Sequence, residues 1–181
     1  MSRPSAPGVR ELPAPDARQL EALAALLVDC VQGGASVSFL APLAPGKALA
    51  FWREVAAEAR AGRRVLLVAE DGEGIAGTVQ VLLEQPENQP HRADVAKMLV
   101  LRRARRQGLG AALLLAAEQA ARARGKTLLV LDTANPEAER LYARLGWQRS
   151  GSIPGYALLP DGRPCDTVIY YRQLGSSGSE G

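Results

Sequence analysis

Residues 94 to 133 read as a β-rich run, a glycine turn, an alanine- and leucine-rich helix and a buried apolar run, and few folds accommodate that order. Asp94 to Leu101 has strand character. Arg105-Arg106-Gln107-Gly108-Leu109-Gly110-Ala111 makes the turn. Leu109 to Arg124 forms a helix ended by Gly125, and Thr127 to Thr133 encloses Leu128-Leu129-Val130-Leu131. Two strands joined through a helix lie parallel, with a right-handed crossover. What precedes them is antiparallel. Arg64 to Glu70 and Ile75 to Gln85 are β-rich, and Asp71-Gly72-Glu73-Gly74 between them reads as a hairpin turn. The expectation is an α/β fold with a mixed, mostly antiparallel sheet, one crossover and flanking helices.

The rest of the chain completes that sheet. Val9 to Leu12 is an expected short edge strand. Asp16 is placed to cap a helix whose apolar face is Leu20, Leu23, Leu27 and Val31, stopped by Gly33 and Gly34. A second helix runs from Pro45 to Ala61, with Trp52, Val55 and Ala59 on one face. Pro136 to Leu145 is a short helix ended by Gly146. Trp147 to Ile153 and Thr167 to Gln173 are final strands, with Asp161-Gly162 in the loop between them. The Gly/Ser-rich stretch 175–181 reads as a flexible tail, which leaves residues 1–174 as one domain.

Charge and cysteine content narrow the function class. A net charge of +3 over 181 residues does not favour nucleic acid, yet Arg102, Arg103, Arg105 and Arg106 cluster beside the turn. Such a cluster suits a compact anionic ligand. Cys30 and Cys165 have no metal or redox spacing and read as free thiols, and His91 is the lone histidine, so no metal is expected. There is no 18-residue apolar run and no apolar signal core near the start, so the chain is expected to be cytoplasmic, with no membrane partner.

The turn itself suggests what the anion is. The N–H groups at a helix start carry partial positive charge and point outward, and small residues let a phosphate approach them. A dinucleotide-binding turn competes with this reading, because Asp132 lies at a suitable distance for a ribose contact. Against it, Leu113 occupies the third glycine position and the turn follows an antiparallel hairpin, not the first strand. A tight structural turn is the plain alternative.

Arg105-x-x-Gly108-x-Gly110 resembles the pyrophosphate-binding signature of the GNAT superfamily of acetyl-CoA-dependent N-acetyltransferases. Lys97-Met98-Leu99-Val100-Leu101 resembles the strand that this family lays beside the cofactor. Asn135, Ala138, Leu141, Tyr142 and Gly146-Trp147 resemble its following helix. The likeness covers roughly Val65 to Leu174. Gly33-Gly34-Ala35-Ser36-Val37, Leu131-Asp132-Thr133, Pro154-Gly155-Tyr156 and Pro160-Asp161-Gly162-Arg163 are similar to segments of family members that acetylate an amino-acid-like toxin.

The resemblance implies a sheet whose central strands splay, with acetyl-CoA in the opening as co-substrate. Its pantetheine arm would bond backbone groups of Leu99, Val100 and Leu101. The amides from Arg106 through Gln107, Gly108, Leu109 and Gly110 to Ala111 would hold the pyrophosphate, with Arg105 and Asn135 as further contacts. Acetyl transfer needs a base for the incoming ammonium and an acid for the departing thiolate. The resemblance makes Tyr142 the acid, against its plain reading as an amphipathic core residue. Asp94 and Asp132 are the base candidates. Their plain readings are a pair with Arg92 and a cap on the next helix. Asn135 followed by Pro136 also reads as a helix cap. The loop from Gly33 to Phe39 is a candidate wall for the acceptor.

These observations point to acetylation of a primary amine on a small, amino-acid-like molecule, with detoxification as a role the resemblance suggests. A protein lysine or N-terminus is the alternative acceptor. A non-catalytic acyl-CoA-binding module is a third reading, and Tyr142 argues against it. The sequence leaves monomer and homodimer both open.

Overall fold

The computed structural model describes residues 8–175. Most of the sequence called a flexible tail lies outside the described residues. Within them, seven strands form one sheet in the order β1-β2-β3-β4-β5-β7-β6. The strands are β1 (Gly8–Glu11), β2 (Arg64–Asp71), β3 (Gly74–Leu82), β4 (Arg92–Val100), β5 (Leu128–Thr133), β6 (Gln148–Leu158) and β7 (Pro164–Gln173). Only β4 and β5 run parallel, and α3 (Leu109–Arg122) makes the crossover between them. The remaining helices are α1 (Ala17–Gln32), α2 (Pro45–Arg60) and α4 (Pro136–Arg144).

Local signals set several of these boundaries. Asp16 caps α1 through a reciprocal box, with its carboxylate accepting the Gln19 amide and the Gln19 side chain accepting the Asp16 amide. α2 begins on Pro45. α3 begins at Gly108, whose φ of 84° favours glycine. β6 is longer than expected, because it continues through Pro154 and Gly155 with irregular register against β7. A short 3-10 turn at Arg102–Ala104, not anticipated from the sequence, links β4 to the glycine turn.

The sheet buries both faces. Val65, Leu67, Val79, Val81, Val95 and Leu129 face α3. Leu66, Val68 and Leu99 face α1 and α2, where Trp52, Leu23 and Leu27 are fully buried. Full burial of one such side chain contributes roughly 1.5–3 kcal/mol. The alternation of the strands thus assigns every other residue to one of two cores.

Candidate active site

The site begins where β4 and β5 part. Their ladder has three rungs, and Asp94 opposite Val130 is the last. Beyond it, β4 stays paired with β3 while β5 stays paired with β7, so the two strands diverge into a fork. The free edge of β4 therefore offers backbone groups to an extended ligand, as a missing strand would.

Pairing decides which groups those are. The Leu101 amide donates to the Ala76 carbonyl at 2.9 Å, so Leu101 faces β3. By alternation Leu99, opposite Thr78, faces β3 as well, and Val100 turns outward. Of the three positions read from the sequence, Val100 is the one whose backbone looks into the fork. Its carbonyl already accepts from Arg105 Nε at 3.3 Å and lies 3.5 Å from Cys30 Sγ. Arg105 is thus turned toward β4, while Arg106 adopts a left-handed φ of 63° within the turn.

The glycine turn presents unpaired backbone amides at the start of α3. The first intrahelical bond of α3 runs from the Ala112 amide to the Gly108 carbonyl, leaving the amides of Leu109, Gly110 and Ala111 without helical partners. No side chain caps this end. Gly110 has a second reason to be glycine, because a Cβ there would lie 3.1 Å from Leu141 Cδ2 on α4. Asp29 on α1 holds the approach to the turn. Its carboxylate accepts the Arg102 amide and Arg102 Nε, both at 2.9 Å. Burial pushes the Asp29 carboxyl up, but these bonds and the Arg102 charge outweigh it and hold the group below its usual range.

Tyr142 lies on α4, 4% exposed, packed between Trp147 at 6.0 Å and Tyr170 at 5.6 Å between ring centroids. Burial first, and the Asp132 carboxylate second, push its phenol well above the usual range. It therefore keeps its proton at neutral pH, the form an acid must start from. Trp147 is itself held by a 2.9 Å bond from its indole nitrogen to buried Glu118 on α3. Asn135 caps α4, its side-chain oxygen accepting the Glu137 amide at 2.9 Å.

The two carboxylates occupy different parts of the fork. Asp132 lies on the divergent stretch of β5 and accepts from Thr167 Oγ1 at 2.9 Å; the carboxylate is not what caps α4. Asp94 lies at the apex, bound by Arg92 and, at 3.0 Å, by Gln85 Nε2. Rung pairing puts Asp94 and Val130 on one face, and Asp132 follows two residues later on that same face. It is the face on which α1 and α2 pack.

Lys97 has a placement that sequence reasoning did not anticipate. Strict alternation from Val95 would aim it at α3. Instead β4 bulges here, with Lys97 at φ 51° and the register shifting between Thr78 and Gln80. The bulge turns its side chain toward α2, where Nζ donates to Ser38 Oγ at 2.9 Å and lies 5.9 Å from the Phe51 ring centroid. A lysine at an expected apolar-facing position was the signal available. Ser38 belongs to the loop flagged as a wall. That loop is tied to the β6–β7 hairpin through Ser36 Oγ to the Leu158 carbonyl at 3.4 Å and Ala41 N to the Pro160 carbonyl at 2.9 Å. His91 is exposed at the far end of β4. Among the described residues no three His, Cys, Asp or Glu side chains gather as metal ligands.

Residues 31–147 match the model of the acetyltransferase (GNAT) family, a span holding the forked strands, the glycine turn and Tyr142. The chain belongs to this family. It is a GNAT-family acetyltransferase. Solved structures of similar fold include YncA from Salmonella typhimurium with its cofactor acetyl-CoA, 20% identical, TM-score 0.77, covering 98% of this chain and 99% of that one. A GNAT phosphinothricin acetyltransferase from Sinorhizobium meliloti, also with acetyl-CoA, is 19% identical, TM-score 0.77, covering 97% and 92%. The ribosomal-protein-alanine N-acetyltransferase from Brucella melitensis is 21% identical, TM-score 0.78, covering 92% and 99%. The GNAT fold thus carries small-molecule and protein acetyltransferases alike, and the acceptor has to be argued from the site.

Proposed function

We propose that this chain, read as one catalytic domain over residues 1–174, acetylates the primary amine of a small, amino-acid-like molecule in the cytoplasm. The observation that carries the reading is the bridged wall. The 33–43 loop and the β6–β7 hairpin are bonded to each other beside Lys97, Phe51 and the fork. A wall bonded together on that side of the fork suits a compact acceptor better than a polypeptide lying across the sheet. Pro154-Gly155-Tyr156 and the loop at 160–163 add a resemblance to the tabtoxin resistance protein, a family member acting on an amino-acid-like toxin. Detoxification is the role that this resemblance favours.

Acetyl-CoA supplies an acyl group already activated as a thioester. The amides of the Gly108–Ala111 turn and the arginines beside it bind its phosphates, and the outward backbone of Val100 aligns its arm. Asp132 draws in the acceptor ammonium and takes its proton, directly or through a water. Asp94, fixed by Arg92 and Gln85, orders the apex of the fork. Tyr142 holds a proton at its phenolic oxygen for the thiolate that leaves as the C–S bond breaks. The new bond is the amide between acceptor nitrogen and acetyl carbon.

The test is an acetylation screen by coenzyme A release across amino acids and their analogues, polyamines, aminoglycosides, and peptides with free N-termini or lysines. Turnover confined to small amino-acid-like amines is the expected result. Turnover confined to peptides would overturn this reading.

A further inference from the structure

The face of the sheet shared by Asp94 and Asp132 also carries cationic and amide groups that, among the described residues, are not fully paired. Arg64, Gln80 and Lys97 lie there. Gln80 and Ala96 are rung partners, and Lys97 follows at the bulge. Gln80 is fully buried, and its Nε2 has no hydrogen-bond partner among the described residues. Its Oε1 accepts from Arg64 Nη1 at 2.5 Å, while the buried Arg64 Nε has no partner either. Among the described residues neither Arg64 nor Lys97 has a carboxylate within ion-pair distance, Glu58 being bound to Arg63 instead. Two partly desolvated cations and an unsatisfied amide nitrogen on one buried face are unfavourable unless an anion completes them. Lys97 is held in place by a left-handed backbone, a strain that persists where the surroundings fix it.

We propose that Lys97 and Arg64, with the Gln80 amide nitrogen, bind a carboxylate or similar oxyanion on the acceptor, holding its amine toward Asp132. This rests on the small-amine reading above and names the group that would select the substrate. Charge placement across the fork supports it, with Arg64 and Lys97 on the β2–β4 side, where the Asp94 carboxylate is taken up by Arg92 and Gln85, and the Asp132 carboxylate on β5. A zwitterionic amine matches that pattern, whereas a plain alkylamine would leave the cations unpaired. Desolvation first and the Arg64 charge third lower the Lys97 pKa, with Asp132 opposing as the second influence. A bound oxyanion would oppose both of the lowering effects with its own charge.

The experiment measures coenzyme A release by the full chain with the twenty L-amino acids and phosphinothricin, each beside its α-carboxamide. The best acceptor is expected to carry a free acid, and replacing it by the carboxamide should cost at least about tenfold in kcat/KM, mainly through KM. Lys97→Met should raise KM for the acid at least about tenfold and bring acid and carboxamide to similar values. Lys97→Arg should restore much of the preference, and Arg64→Met should weaken it. The acetyl-CoA melting shift of each variant reports that it is folded. Should Lys97→Met not fold, Lys97→Gln takes its place. Equal use of acid and carboxamide by the wild-type chain would overturn the anion site while leaving small-amine acetylation standing. An equal fall in kcat for both acceptors in Lys97→Met would also overturn it, making the lysine a proton carrier. No turnover with any small amine would overturn this proposal together with the reading it rests on.

Discussion

Tyr142 and Asp132 illustrate how single residues acquire their chemistry from where they sit. A buried phenol beside a carboxylate keeps its proton more firmly than a free one. Tyr142→Phe preserves the packing on Trp147 and Tyr170 and removes the proton. The expected result is a fall in kcat of roughly 10²-fold or more with little change in acetyl-CoA affinity. Pre-steady-state kinetics decides whether chemistry is the step affected; an unchanged chemical step would make the tyrosine structural. The carboxylates should separate on mutation. Asp132→Asn is expected to lower kcat/KM for the amine and to recover partly at higher pH, where more acceptor arrives deprotonated. Asp94→Asn loosens the contact with Arg92 and should act mainly on stability. A pH–rate comparison of the two variants, with melting curves, checks this. Both aspartates were legible as candidates from sequence. Their different settings were not, because they depend on Thr167 in one case and on Arg92 and Gln85 in the other, contacts no local pattern predicts.

At the scale of elements, the crossover and the helix behind it do more than connect strands. α3 carries Glu118, 2% exposed, whose carboxylate accepts the Trp147 indole and lies 3.5 Å from Arg122 and 3.7 Å from Arg172. That cluster links α3, the start of β6 and β7, and through Trp147 it steadies the ring of Tyr142. Removing the carboxylate leaves an indole donor and two arginines without it. Glu118→Ala is expected to cost about 3 kcal/mol, in the range for breaking a buried pair. For a chain of this size that lowers Tm by roughly 6–12 °C. Calorimetry measures it, and a shift under about 1 °C would show the cluster to be dispensable. The helix boundaries themselves were readable, since Asp16, Pro45, Gly108, Asn135 and Pro136 stand where caps and first turns require them. The 3-10 turn at Arg102–Ala104 was not, because Asp29, distant in sequence, fixes it.

For the whole molecule, the fork and the glycine turn together predict ligand-linked stability. Acetyl-CoA at about a hundredfold excess over Kd should stabilise the fold by roughly 2.7 kcal/mol, while NAD should not. Arg106→Glu, which reverses a charge in the phosphate turn, should weaken acetyl-CoA at least about tenfold and leave the unliganded Tm near its original value. Thermal shift and calorimetric titration check both; an equal shift from NAD would refute the assignment of the turn. Sequence by itself determined the element order, the single crossover and the glycine turn between β4 and α3. Those features follow from side-chain periodicity, from glycine and proline geometry, and from charge placed near in sequence, all of which act locally. Only the tertiary structure decided which backbone groups of β4 face the fork, because the Ala76 carbonyl claims the Leu101 amide. Only it decided that Lys97 faces Ser38 and α2, because one left-handed residue reverses the alternation that its neighbours obey. A period of two carries no sign of where it will be broken. The break is fixed by pairing with β3 and by the loop at Ser38, which lies 59 residues away along the chain.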